Sequence, residues 1–276
     1  MIRTSTKCHH KRHVTTKGRY IFMAVMDEFR EEREAMKHGT PKQKLEYFWL
    51  YYKWHVIIAV AAIAAISSFI YEAVTRKETA LYALFLNSFV LAEDSAEAYK
   101  QSFLDTTEIN TDEYEIMVDT SLYLQPGSMD ENTYAAVQKV SVYVAAGEID
   151  LIGADQAAFE YYGYLDYLAD LRDMLTPEQI EKYSPYFYYI DGEVLAAKQK
   201  AADNLEEYTE AYPDPSKPEE MADPIPVGIF LENASEDFTS NYMFSGGSSS
   251  AIGFVVNANH VENAQAFVDY IFTTAE

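Results

Sequence analysis

Between Trp54 and Tyr71 the chain reads "WHVIIAVAAIAAISSFIY", eighteen residues without a single Asp, Glu, Lys or Arg. Extending the run to Trp49 and Val74 adds only Lys53 and Glu72, one near each end. At 1.5 Å per residue, Trp49–Val74 reaches roughly 39 Å as a helix, beyond the ~30 Å hydrocarbon core of a bilayer. A helix with no polar face has nothing to show water, so this segment predicts a membrane span. Tyr47, Phe48, Trp49, Tyr51, Tyr52 and Trp54 form an aromatic belt at one end, with Lys53 placed to snorkel. Thr40-Pro41-Lys42-Gln43 just upstream supplies a helix start: an N-cap hydroxyl, proline at the first position and a reciprocal Gln.

Twelve Lys and Arg residues precede Trp54, and only Arg76 and Lys77 follow closely. The positive-inside rule then keeps residues 1–46 in the cytoplasm, makes 47–74 a signal anchor and exports 79–276. No small-x-small site follows the apolar run, as a cleaved signal peptide requires, and no lipid-anchor Cys is present. The expectation is a single-pass cell-membrane protein. Its opening, "MIRTSTKCHHKRHVTTKGRYIF", lacks apolar periodicity. Lys17-Gly18-Arg19 back-translates to a purine-rich run of ribosome-binding type, so translation is expected to start at Met23 or Met26. The rival reading of this segment is a metal-binding tract of Cys8, His9, His10 and His13, whose spacing is a weak match to a metal site.

Charge divides the same way. Through Lys77 there are 14 basic and 7 acidic side chains, a net +7; beyond it 7 basic and 37 acidic side chains leave −30. So acidic a domain repels phosphate backbones, and no nucleic-acid partner is expected. The single Cys8 rules out a disulfide framework within the chain.

The exported part alternates β-favouring apolar runs with helical patterns. Strands are expected at 80–88, 114–121 and 149–154, and helices near 94–105, 129–146 and 260–273. Further β-favouring runs are "IPVGIFL" (225–231) and "AIGFVVNA" (251–258). Helix starts are read at Asp94…Glu97, Ser128…Glu131, Thr176-Pro177…Gln179 and Asn259…Glu262. "SPYFYYIDGEVLAA" offers a hairpin across Asp191-Gly192, and "YPDPSKPEEMADPIP" (212–226) a surface excursion. Alternating strands and helices predict one α/β domain around a single, largely parallel sheet.

Catalytic motifs are absent. Of six histidines only His260 lies beyond the anchor, and there is no G-x-S-x-G, H-E-x-x-H, P-loop or G-x-G-x-x-G pattern. No catalytic residue, metal or cofactor is expected. Open α/β sheets bind ligands beyond the carboxyl ends of their strands. Those ends carry Asn87-Ser88, Asp119 with Ser121, and Asp155-Gln156, which form the candidate binding set. The same residue types build turns and caps, so both roles stay open, for Asp155 in particular. Tyr161, Tyr162, Tyr164, Tyr167, Tyr183, Tyr186, Tyr188 and Tyr189 are candidates either for a sugar or peptide groove or for core packing.

One stretch, "AAGEIDLIGADQAAFEYYGYLDYLADLRDML", resembles a segment of the extracellular solute-binding proteins of ABC importers, through Gly147, Asp150, Asp155, Phe159, Gly163, Leu165, Asp170 and Leu171. "IGFVVNANHVENAQAFVDYIF" is similar to that family's closing strand and helix, through Ala264, Phe267 and Tyr270. The resemblance implies a periplasmic-binding-protein lobe preceded by one transmembrane helix. It also implies non-catalytic capture of a small solute (a sugar, peptide or amino acid) and presentation to a membrane transporter or sensor. The charge favours a neutral or cationic solute. The alternative is a ligand-free interaction or structural subunit of a membrane complex, docking partly through the charged helix 26–37.

Overall fold

The computed structural model describes residues 40–128, 130–245 and 249–273. The expected start site, the helix expected at 26–37 and the Cys/His tract lie outside these residues. The chain divides into two compact units, Met1–Arg76 and Lys77–Glu276.

In the first unit, helix α1 (Pro41–Thr75) begins at the expected cap: the Thr40 side chain accepts from the Gln43 N–H, and Gln43 accepts from the Thr40 N–H at 3.0 Å. Within it Tyr52–Glu72, 21 residues of mean hydropathy 2.0, is long and apolar enough to cross a membrane. Trp54, Ile58, Ile63, Ile66 and Phe69 are all exposed, so the helix presents apolar side chains to its surroundings.

The second unit is built on a six-stranded sheet. Along the chain run β1 (Glu78–Phe85), β2 (Ser88–Val90), α2 (Glu93–Asp105), β3 (Tyr114–Asp119), α3 (Glu131–Ala146), β4 (Leu151–Ala154) and α4 (Gln156–Gly163). Then follow α5 (Leu171–Met174), α6 (Pro177–Tyr183), β5 (Phe187–Asp191), α7 (Gly192–Asp203), β6 (Pro224–Phe230), α8 (Glu236–Asn241), β7 (Tyr242–Phe244), β8 (Ala251–Phe254) and α9 (Val261–Ile271). The sheet order is β3-β1-β4-β8-β6-β5, and β2 with β7 makes a separate two-stranded ribbon.

Strand β1 shows why the sheet is sandwiched between helices. Leu81, Ala83 and Phe85 join a core with Phe103 of α2, Phe238 of α8 and Phe267 of α9. Tyr82, Leu84 and Leu86 point the other way, into a core with Val140 of α3 and Phe159 and Tyr162 of α4. Successive side chains alternate across a strand, so an apolar run without polar interruptions fills both faces.

The sheet is mixed, which corrects the expected largely parallel one. Strands β3, β1 and β4 are mutually parallel as expected, but β8 runs antiparallel to both β4 and β6, and β5 antiparallel to β6. Alternation implies parallel strands only when the connection crosses the sheet. Here two connections return to the edge they left. Asp191 at the end of β5 pairs with Pro224 at the start of β6, and Phe230 at the end of β6 pairs with Ala251 at the start of β8. The Asp191 carboxylate ties the first return shut by accepting from the N–H groups of Glu193, Ala222 and Asp223. Asp191-Gly192 is therefore a strand-to-helix cap, not the expected hairpin turn. The excursion at 212–226 is irregular apart from one 3-10 turn, but its last residues, from Pro224, begin β6.

Helix starts were legible in part. Thr176 and Gln179 form the expected capping box of α6. For α3 the cap is Asp130, whose carboxylate takes the Thr133 N–H, and the Ser128 hydroxyl bonds to Asp130 instead. The first turn of α2 holds Glu93 and Asp94 beside an N-cap, Ala92, that makes no side-chain bond. His260, not Asn259, occupies the N-cap position of α9. Gly253 in β8 is a packing requirement: a Cβ there would lie 2.3 Å from the Val227 carbonyl oxygen and 3.0 Å from Phe159.

Candidate functional site

The three parallel strands end close together, and the adjacent pair β1 and β3 is followed by helices on opposite faces of the sheet, α2 in one core and α3 in the other. Such a switch in direction ordinarily leaves a crevice for a ligand. In this domain the chain fills it. The peptide N–H of Asn87 donates to the Leu122 carbonyl at 3.1 Å. Its side-chain amide donates to the Leu124 carbonyl and accepts from the Leu124 N–H, both at 2.7 Å. Asn87 sits at φ 53°, a left-handed conformation that Asn tolerates better than most residues, so its side chain can mimic a β-bridge to the loop after β3.

The other expected site residues are engaged in the same way. Asp155 caps α4 by accepting from the Ala158 N–H at 3.0 Å, and its second oxygen accepts from the Asn87 amide at 3.1 Å. The Ser88 hydroxyl donates to the Phe85 carbonyl. Asp119 accepts from the Tyr82 hydroxyl, the Lys139 ammonium and the Ser121 N–H. Burial works to raise the Asp119 pKa, but the Lys139 and Ser121 hydrogen bonds outweigh it and hold the carboxyl at about 2. Ser121 is exposed, and Gln156 lies apart, on a polar hollow of about 280 Å³ with Phe187, Asp214, Phe230 and Glu232. Asn87 and Asp155 are thus in contact, while Asp119 with Ser121 and Gln156 belong to separate surroundings. Asn87, Ser88, Asp119 and Asp155 have their polar groups engaged within the fold.

The larger opening lies just beyond the filled crevice. It is a pocket of about 650 Å³ between the loop after β3, the start of α3 and α4. Leu124, Pro126, Val137, Tyr134 and Tyr161 supply apolar and aromatic surface; Ser128, Asp130, Glu131 and Thr133 supply its polar part. This size and this mixture suit a small organic ligand. The Asp130 carboxyl is pulled down to about 2 by the Ser128 hydroxyl and the Thr133 N–H, so it is ionised at neutral pH. Of the lining residues only Tyr161 was a binding candidate in the sequence; Ser128 and Glu131 were read there as a helix start. The Pro126-Gly127 turn ahead of a capped helix was the available signal, because it takes the chain off the sheet edge and back.

Half of the eight candidate tyrosines pack the interior: Tyr162, Tyr164, Tyr183 and Tyr188 are buried, and the Tyr162 and Tyr188 hydroxyls have no partner among the described residues. The Tyr164 hydroxyl accepts from the Asp191 N–H and is pushed up to about 12 by burial. Tyr164 stacks on Tyr212 at 4.1 Å, and the Lys198 ammonium lies 5.5 Å from the Tyr212 ring and 5.9 Å from Tyr161.

Asp150, matched in the sequence only through a resemblance, is a buried hub with no exposed surface. Its carboxylate accepts from the N–H groups of Tyr82, Asn259 and His260 and bonds His260 Nδ1 at 3.1 Å. Every one of those donors is structural: the carboxylate joins β1 to the start of α9. Among the described residues no group of three or more His, Cys, Asp or Glu side chains is placed to hold a metal ion. Comparison with known protein families, curated proteins and solved structures finds no match for this chain.

Proposed function

We propose that this is a single-pass membrane protein whose exported α/β domain is a non-catalytic binding module for a small neutral or cationic solute. The observation that carries the reading is the 650 Å³ pocket walled by Leu124, Val137, Tyr134 and Tyr161. The apolar α1 helix supports tethering to the membrane, and the excess of Lys and Arg before it supports a cytoplasmic N-terminus. Presentation to a transporter or sensor in the same membrane follows from that tether and from the sequence resemblance. The candidate site moves accordingly, from the strand-end carboxylates to the pocket beside them.

The test is a thermal-shift screen of the full chain in lipid nanodiscs against sugars, amino acids, short peptides and organic cations. A ligand at a hundred times its Kd stabilises the fold by about 2.7 kcal/mol. The shift should vanish in a Val137→Asp variant that places a charge on the apolar wall. A screen in which nothing raises the transition, or in which the shift survives Val137→Asp, overturns the reading.

A second reading has its own observation. Phe89, Leu91 and Met243 are exposed on and beside the β2–β7 ribbon, an apolar patch of the kind that docks a protein partner. In that case the domain is a ligand-free subunit of a membrane complex. Charged replacements of Phe89 and Met243 would then release it from a complex isolated from native membranes, while Val137→Asp would not.

A further inference from the structure

The lining of the pocket combines two chemistries. Asp130 and Glu131 place two exposed carboxylates in succession, and no Lys, Arg or His is among the lining residues. The nearest basic side chain along α3, Lys139, is held by Asp119 at 2.8 Å. Asp130 accepts from Ser128, the Thr133 N–H and the Thr133 hydroxyl, which fixes its orientation, and Glu131 has no partner among the described residues. Tyr134 follows one helical turn on, 65% exposed. The apolar part of the lining is Leu124, Pro126 and Val137 with Tyr161, whose ring already has Lys198 over it. Tyr134 is therefore the ring left open to a new cation.

The geometry points to a ligand that is a small organic monocation with an apolar body. Its ammonium sits by Asp130, Glu131 and the face of Tyr134, and its body lies against Leu124, Pro126, Val137 and Tyr161. An ammonium over an aromatic face beside carboxylates is favoured by both the ring quadrupole and the charge. Two adjacent carboxylates disfavour an anion in the same position, and the domain's excess of acidic residues adds to the repulsion. The stem of the ligand removes the apolar part of the lining from water. This inference rests on the pocket being the binding site, and it adds the sign of the charge and the residues beside which it lies.

Three probes that share a phenyl ring on a short stem decide it: phenethylamine as the cation, N-acetylphenethylamine as the neutral form and phenylacetate as the anion. Each is titrated calorimetrically into the full chain in nanodiscs, with empty nanodiscs as the blank. The cation should bind about tenfold more tightly than the neutral probe, the size expected of a partly exposed charge pair together with one cation–π contact. Glu131→Gln and Asp130→Asn should each remove most of that advantage, read as the ratio of cation to neutral-probe affinity in the same variant. Asn is as good an N-cap as Asp, so the second change preserves the start of α3. Equal affinity for cation and neutral probe, or tightest binding of phenylacetate, overturns the charge assignment while the pocket stands. No binding of any probe at millimolar concentration overturns both. A cation preference that persists in the Asp130→Asn, Glu131→Gln double variant places the ammonium elsewhere and also overturns the inference.

Discussion

Replacing Asn87 by alanine tests the arrangement on which the pocket depends. The side chain is 6% exposed, and its amide makes three hydrogen bonds, two to the backbone of Leu124 and one to Asp155. Alanine leaves the Leu124 N–H and carbonyl without their partner beside a side chain that is itself 1% exposed. Each buried polar group so stranded costs about 1–3 kcal/mol. The position is at φ 53°, where alanine is disfavoured by up to ~1 kcal/mol more. Together these give a destabilisation of about 3–5 kcal/mol, which for a domain of this size lowers Tm by roughly 10–15 °C. Both tryptophans, Trp49 and Trp54, lie in α1, so near-ultraviolet circular dichroism of the tyrosines on melting reports the α/β domain. Asn87→Gly separates the contributions: glycine restores the left-handed conformation and should recover about 1 kcal/mol, leaving the hydrogen-bond loss in place. If Asn87→Ala melts within ~1 kcal/mol of the native chain, the loop after β3 is not held by this side chain. The filled crevice would then need another explanation.

Two further outcomes follow from the packing and charge of the same domain. The folded Asp119 carboxyl, at about 2, lies below its unfolded value of 3.8, so its contribution is complete above pH ~4 and is lost as pH falls through about 2. That contribution is about 2 kcal/mol, and urea titrations between those pH values should show a shallower fall in stability for Asp119→Asn than for the native chain; parallel curves would refute it. Gly253→Ala forces a Cβ to within 2.3 Å of the Val227 carbonyl and should cost about 2–3 kcal/mol by urea midpoint, because backbone, not a pliant side chain, is in the way. A loss under ~0.5 kcal/mol would mean that β6 and β8 are free to separate.

What the sequence conveyed was local. A capping box needs only four residues, and those at Thr40 and Thr176 appear where the residue pattern puts them. The run from Trp54 to Tyr71 excludes any helix with a wet face, and β1 shows its alternation between two cores residue by residue. Strand direction in the second half was not legible, because it depends on whether the residues between β5 and β6 cross the sheet or turn back. Asp191 settles that through two backbone donors far along the chain, Ala222 and Asp223. The candidate residues were read from their polarity at strand ends. Polarity alone does not distinguish a side chain aimed at a ligand from one whose donors and acceptors are already matched, as the pairing of Asn87 with Leu124 shows. The pocket went unseen because its walls come from a loop, a helix start and a separate helix that share no sequence period.

The position of β8 carries a consequence for how the domain comes into being. Its residues bond β4 on one side and β6 on the other, so the last strand along the described chain is an interior strand of the sheet. Until Ala251–Phe254 has been delivered, β4 presents an open edge with apolar side chains on both faces. The β5–β6 pair then has nothing to join. Contacts between such distant partners close late and slowly, since the loop between them must be ordered first. A machine that threads this chain from its N-terminus therefore releases a long, adhesive, half-made sheet before the piece that completes it arrives. Such a chain benefits from shelter during that interval, and a chain that stops ahead of β8 lacks the strand that joins β4 to β6.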